Sequence, residues 1–316
     1  MARLQIHLFG PLRLLQDAKP VNGFPTQRAT TLFAYLVVHR GHFYAREMLA
    51  GQFWGDRPDA VARKCLRLDL WRIRETLRRA GPAAQDCIIV HDDRVGFDAN
   101  GEYWLDLQEF EQRLNAANSA SDSNSGEAQA NVERAIELYR GELLEGVYDD
   151  WCVHEQERAR ALLLQALERA MRYHADRGDI PRALEFGRRI LERDPLRESI
   201  HREVMRLHLR AGNRPAALKQ FVACADFLRR ELDVNPMPET LALANAMTRG
   251  SHDVPVPIEV SAIEQKMPSP SPLQVFSLET LRAADVEIRE AEAHLRAARS
   301  ALSLTFAADA EQVRRS

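Results

Sequence analysis

The 316-residue sequence predicts an α+β domain at its N-terminus, an all-α domain of paired helices after it, and a separate C-terminal helix. Three observations carry that prediction. Apolar residues alternate with polar ones at Leu4, Ile6 and Leu8, and a second extended run falls at Cys87-Ile88-Ile89-Val90; elsewhere apolar residues recur every three or four positions. A segment starting at Gly178 returns at Gly212, an offset of 34. Prolines at 255, 257, 268, 270 and 272 then set apart a last amphipathic stretch.

Leu4, Ile6 and Leu8 form a strand, Phe9-Gly10-Pro11 breaks it, Leu12 and Leu14 resume the alternation, and Val21-Asn22-Gly23 turns the chain. That is a small antiparallel sheet. Thr26 is placed to cap a helix through Leu32, Phe33, Leu36 and Val37, which ends at His39-Arg40-Gly41. A short extended piece, His42-Phe43-Tyr44, leads to a second helix through Met48, Leu49 and Phe53, and Trp54-Gly55-Asp56-Arg57-Pro58 is a loop. Between Ala60 and Ala80 a third helix lines up Ala62, Leu66, Leu70, Ile73 and Leu77 on one stripe. After Gly81-Pro82, the run Cys87–Val90, the polar turn His91–Arg94 and Val95-Gly96-Phe97 form a hairpin. Sheet, helix, helix, helix, hairpin is the order of a winged helix. In that fold the third helix enters the major groove and the hairpin, or wing, touches the backbone or the minor groove.

Charge is concentrated where that geometry needs it. The third helix carries Arg63, Lys64, Arg67, Arg72, Arg74, Arg78 and Arg79 against Asp69 and Glu75, a local excess of +5 in a chain whose net charge is −3. Duplex DNA, with about one charge per 1.7 Å of axis, is the commonest partner for such a face. The competing interpretation is a plain solvated surface, and the flanking winged-helix elements weigh against it. The expected DNA-binding set is Arg63, Lys64, Arg67, Trp71, Arg72, Arg74, Arg78 and Arg94. Arg63, Lys64 and Arg67 lie toward the end of the helix that reaches base edges, where arginine pairs bidentately with guanine. Arg72, Arg74 and Arg78 suit phosphates, and Arg94 sits at the wing tip. Trp71 falls off the apolar stripe; it either packs under the wing or touches sugar or a thymine methyl. Asp69 would repel phosphate unless it accepts from cytosine N4 or pairs with Arg72.

From Asp106 onward strand signals vanish. Leu107, Phe110 and Leu114 start a helix, and Asn118 to Gly126 forms a polar, flexible loop. Gly178-Asp179-Ile180-Pro181-Arg182-Ala183-Leu184 then aligns with Gly212-Asn213-Arg214-Pro215-Ala216-Ala217-Leu218 at the tetratricopeptide (TPR) period. In each copy Gly closes one helix, Asp or Asn caps the next, and Ala-Leu lets two helices approach closely. Asp194-Pro195 and Asn235-Pro236 end the second helices. Such units offer a groove for another polypeptide; a helical domain that only holds a dimer together is the alternative. In the tail, Leu281, Ala284, Ile288, Ala291, Leu295, Ala298 and Leu302 make a heptad seam of large residues facing Ala. Self-association as a coiled coil is favoured there over docking on the repeats or on another protein. The expected divisions are 1–104 (winged helix), 105–249 (TPR-like), 250–276 (Pro-rich linker) and 277–304 (coiled-coil helix).

Several classes of chemistry find no support. Cys65, Cys87, Cys152 and Cys224 form no CxxC pair and are expected as reduced thiols. There is no GxxxxGK[ST] phosphate loop, no HExxH, no GxSxG and no zinc spacing. His154 with Glu155 and Glu157, and His201 with Glu203, are expected to be structural or solvated. No enzyme activity, cofactor, metal or membrane partner is expected, and the location expected is the cytoplasm, at the nucleoid.

Three motifs sharpen this picture. Leu8-Phe9-Gly10-Pro11-Leu12, Phe53-Trp54-Gly55-Asp56 and Leu70-Trp71-Arg72-Ile73-Arg74-Glu75-Thr76-Leu77 resemble the OmpR-type winged helix of the Streptomyces antibiotic regulatory protein family. Ala135 through Leu144, Trp151, Glu157-Arg158, Asp194-Pro195-Leu196-Arg197-Glu198 with His201 and Met205, and Glu231-Leu232 ahead of Pro236 and Glu239-Thr240 resemble the bacterial transcriptional activator domain that follows it. Together the resemblances cover about residues 1–249. They imply a sequence-specific DNA-binding transcriptional regulator, usually an activator, that binds repeated promoter sites, contacts RNA polymerase and is expected as a homodimer. An interaction scaffold whose winged helix binds protein is the alternative.

Overall fold

The computed structural model describes residues 4–249 apart from 82, 83, 85 and 121–123. The linker and heptad expected at 250–276 and 277–304 lie outside the described residues. Strand β1 (Leu4–His7) pairs antiparallel with β2 (Arg13–Gln16), Leu4 opposite Gln16. The chain reverses into β3 (Lys19–Pro20) at Asp17 and Ala18, both at positive φ. The turn therefore falls ahead of the expected Val21-Asn22-Gly23. It lacks the glycine that normally marks two such residues in a row, so the sequence does not advertise it.

Helix α1 (Gln27–Val38) starts as expected, the Thr26 hydroxyl accepting from the Ala29 N–H at 3.1 Å. It is buried on nearly every side and forms the centre of the N-terminal core. Strand β4 (Phe43–Ala45), α2 (Arg46–Trp54), α3 (Asp59–Ala80) and the hairpin β5 (Ile88–His91) and β6 (Arg94–Phe97) follow. β4 pairs with β6 to give a second sheet of order β4-β6-β5. Strand β7 (Tyr103–Leu105) is not legible in the sequence. It runs parallel to β1, Leu4 opposite Tyr103, and completes the first sheet in the order β3-β2-β1-β7.

The rest is helical: α4 (Asp106–Ser119), α5 (Gly126–Leu138), α6 (Asp150–Asp176), α7 (Ile180–Leu191), α8 (Glu198–Arg210), α9 (Arg214–Leu232) and α10 (Pro238–Arg249). Each of the first six packs on its neighbour in sequence, the arrangement of a solenoid. α4 runs on through Asn118 and Ser119, so the loop is shorter than expected. The repeat behaves as its residues dictate. Gly178 and Gly212 take φ of +78° and +71°, which their missing Cβ permits, and close α6 and α8. Asp179 then accepts from the Arg182 N–H and Asn213 from the Ala216 N–H. Among the described residues no helix is long and apolar enough to cross a membrane.

The α+β region and the helices share one core. Its seam is built by Leu8-Phe9-Gly10. The Leu8 carbonyl accepts from the Leu144 N–H at 2.7 Å, the Gly10 N–H donates to the Glu142 carbonyl at 2.8 Å, and the Gly10 carbonyl accepts from the Glu145 N–H at 3.0 Å. A Cβ on Gly141 would stand 3.2 Å from Gly10 Cα, a tight contact that favours glycine here. The buried Asp106 carboxylate, first in α4, accepts from the N–H groups of Leu8, Phe9 and Leu107. Burial pushes that carboxyl above its ordinary range, against the downward pull of these N–H groups. The Phe9 ring lies 5.2 Å from Phe110 and 4.5 Å from Tyr139. On the other flank Tyr35 meets Trp151 edge-on at 5.1 Å, and Glu111 accepts from both Arg40 and Arg158 at 2.7 Å.

Candidate nucleic-acid interface

Helix α3 is amphipathic by construction. Asp59 in its first turn and Arg78 and Arg79 in its last oppose the helix dipole. Ala62, Leu66, Leu70, Ile73 and Leu77 are all buried, as their spacing requires, against α1 and α2. What remains outside is the candidate surface.

Both acids in the body of the helix are used internally. Asp69 is buried, not turned to solvent. It accepts from the Arg72 guanidinium at 2.7 Å and from the Thr26 hydroxyl at 3.2 Å, tying α3 to the cap of α1. Glu75 takes a bidentate pair from Arg78, at 2.9 and 2.8 Å, and a third bond from Arg79 at 3.1 Å. The Arg78 hydrogen bonds chiefly, with Arg79 adding to them, hold the Glu75 carboxyl down to about 2.

These pairings sort the expected site residues. Arg72 and Arg78 are engaged with carboxylates on their own helix. Arg74 donates to the Ile88 carbonyl of the hairpin at 3.4 Å, and Arg63 lies 3.5 Å from Glu47 of α2. Lys64 and Arg67 are exposed and have no hydrogen-bond or ion-pair partner among the described residues. Trp71 does not pack under the wing: it is 62 % exposed, in the middle of the outward face. Leu68, outside the expected set, is 45 % exposed one turn away. Its signal is present in the sequence, since Val61, Lys64, Leu68 and Trp71 follow one another at steps of three and four.

The hairpin turns through Asp92 and Asp93, Asp92 at φ +53° and His91 opposite Arg94. All four residues of this tip are exposed. Arg94 thus stands beside two carboxylates, and the wing tip is not a strongly positive surface. The wing tip is tied to the start of α2, where the Arg46 N–H donates to the Asp93 carbonyl at 2.9 Å. Cys87, Cys152 and Cys224 are buried, and burial raises their thiols to about 12, 12 and 11.

Residues 105–248 match the family described as the bacterial transcriptional activator domain. The regulatory protein AfsR of Streptomyces coelicolor is 28 % identical over 239 residues, 74 % of this chain and 23 % of the relative. The transcriptional regulatory protein MoaR1 of Mycobacterium tuberculosis is 25 % identical over 251 residues, 78 % of this chain and 79 % of the relative. Residues 105–248 thus carry the bacterial transcriptional activator domain, and the chain is similar to regulators of the Streptomyces antibiotic regulatory protein type. AfsR of Streptomyces griseus matches this chain at 25 % identity over 264 residues, 82 % of the chain and 26 % of the relative. The chain therefore spans about a quarter of the length of these two AfsR relatives. Its fold is shared with Mycobacterium tuberculosis EmbR, solved in complex with a low-affinity phosphopeptide. The TM-score is 0.65 at 19 % identity, over 79 % of this chain and 66 % of that one.

Proposed function

We propose that the protein is a transcriptional regulator that binds duplex DNA through the outward face of α3. The observation that carries this is the pair Lys64 and Arg67: two exposed cations, three residues apart on one helix face, without internal partners among the described residues, in a chain of net charge −3. Arg67 and Lys64 read base edges, Arg67 with guanine O6 and N7. Arg63 and Arg74 hold phosphates, joined by Arg72 and Arg78 to the extent that they exchange carboxylate for phosphate, while Arg94 makes a lesser contact at the wing. Residues 1–104 form the DNA-binding domain and 105–249 the activator domain, which recruits RNA polymerase at repeated sites. Dimerisation through 277–304 completes the proposal and rests on the heptad in the sequence.

A salt titration of duplex binding tests the central step. Each phosphate contact contributes about −0.9 to the slope of log affinity against log salt. A slope of about −3 or steeper is expected, and nuclease footprinting on upstream genomic fragments should show protected stretches. A flat salt dependence with no footprint overturns the reading. The scaffold alternative would have to use the exposed Leu68 and Trp71, and the exposed Lys64 and Arg67 beside them weigh against it. For the tail, removing residues 273–316 should halve the mass seen by sedimentation; an unchanged mass removes 277–304 as the dimer contact.

A further inference from the structure

We propose that Leu68 and Trp71 read thymine 5-methyl groups in the major groove, so that the half-site carries thymine at one or two successive base pairs. This rests on the DNA-binding reading above and adds what the cations alone cannot supply, a preference for A·T pairs.

The two side chains are three residues apart on α3 and point the same way, 45 % and 62 % exposed on a helix whose other large apolar residues, apart from Val61, are buried or half-buried. Lys64, one turn before Leu68, continues their stripe, and Arg67 and Arg74 run beside it. An apolar ridge set among unpaired cations does not suit a hydrophobic partner helix, which would bury those charges. It suits a polyanion that presents an apolar group between its phosphates. In the major groove the only such group on a base edge is the thymine methyl; guanine and cytosine offer hydrogen-bond donors and acceptors that Leu68 and the indole face would leave unmatched.

Spacing makes the inference specific. Three residues advance the helix about 4.5 Å, close to one base step of about 3.4 Å, so Leu68 and Trp71 address neighbouring pairs. Lys64 lies about 6 Å from Leu68, near two base steps. The expected half-site is thymine at one or two adjacent positions, with a guanine contact by Lys64 about two steps from the Leu68 position.

The test uses the full-length protein and a duplex recovered from a random pool by binding to it. Each thymine is replaced singly by deoxyuridine, which removes only the methyl group. At one or two adjacent positions uracil should weaken binding by about fourfold, the worth of one buried methyl. Trp71→Ala and Leu68→Ala should each bring the thymine-to-uracil ratio at one of those positions toward one. Both side chains are exposed, so neither variant disturbs the buried stripe, and circular dichroism verifies the fold. Steeply salt-dependent binding with uracil equal to thymine everywhere overturns this inference and leaves the DNA-binding proposal standing. An unchanged ratio in both variants overturns it too and returns the ridge to a protein partner. If no duplex is recovered at low salt, both proposals fall.

Discussion

The outward face of α3 and the seam at Leu8-Phe9-Gly10 resolve their polar groups in opposite ways. At the seam the backbone groups of Leu8 and Gly10 and the Asp106 carboxylate find partners 97 or more residues away in sequence or in the 142–145 segment, and none is left to water. On α3 the carboxylates of Asp69 and Glu75 are taken up chiefly by arginines three or four residues along the same helix, Asp69 also by Thr26, and Lys64 and Arg67 are left over. The difference teaches that residues which look alike as family signatures do different work. The opening Leu8-Phe9-Gly10 joins the winged helix to the activator domain, whereas the signature around Trp71 is presented outward.

The comparison can be broken most forcefully at the seam. Asp106→Ala strands buried N–H groups and is expected to cost about 2–4 kcal/mol, read as a fall in thermal midpoint, with duplex affinity of the remaining folded protein little changed. A variant as stable as the parent would show that the seam is held by Phe9 packing instead. Arg67→Ala should behave in the reverse sense: an unaltered midpoint, and a loss of about 1–3 kcal/mol in binding together with relaxed base preference. If binding by purified Arg67→Ala is unchanged, α3 is not the reading helix.

Smaller changes sharpen the picture of the outward face. Glu75→Gln frees Arg78 and Arg79, so affinity should rise a few-fold and the salt slope should steepen by up to about 0.9 for each new phosphate contact. Because the Glu75 carboxyl is held at about 2, its folded value lies below the ordinary one. The pairing is therefore fully present above the ordinary carboxylate range and lost only as pH falls through about 2. The difference in affinity between the parent and the Glu75→Gln variant should accordingly stay constant as the pH is lowered from neutrality to the edge of the ordinary carboxylate range. Arg94→Ala, beside Asp92 and Asp93, should have the smallest effect, less than about threefold at moderate salt.

Much of this was legible from local chemistry. The Thr26 cap, the buried stripe of α3 and the paired Gly-Asx corners at 178 and 212 each depend on residues within one or two helical turns. What escaped depended on distance or on rare backbone. β7 is three residues long and pairs with a strand about 100 residues away, so no period could reveal it. The β2–β3 turn uses Ala18 at φ +62°, where glycine would have announced it. From the sequence Asp69 could be a carboxylate facing DNA, and only its position beneath Thr26 shows that it faces the core.

The sequence by itself determined which residues of α3 are buried, where the repeat corners fall and how much charge the helix carries, because all three follow from helical period and composition. Only the tertiary structure decided which of those charges remain free. Pairing is a matter of ångströms between side chains, and the partners of Asp69, Arg74 and Asp106 across the fold are fixed by how α1, the hairpin and the first sheet come to rest against the helices.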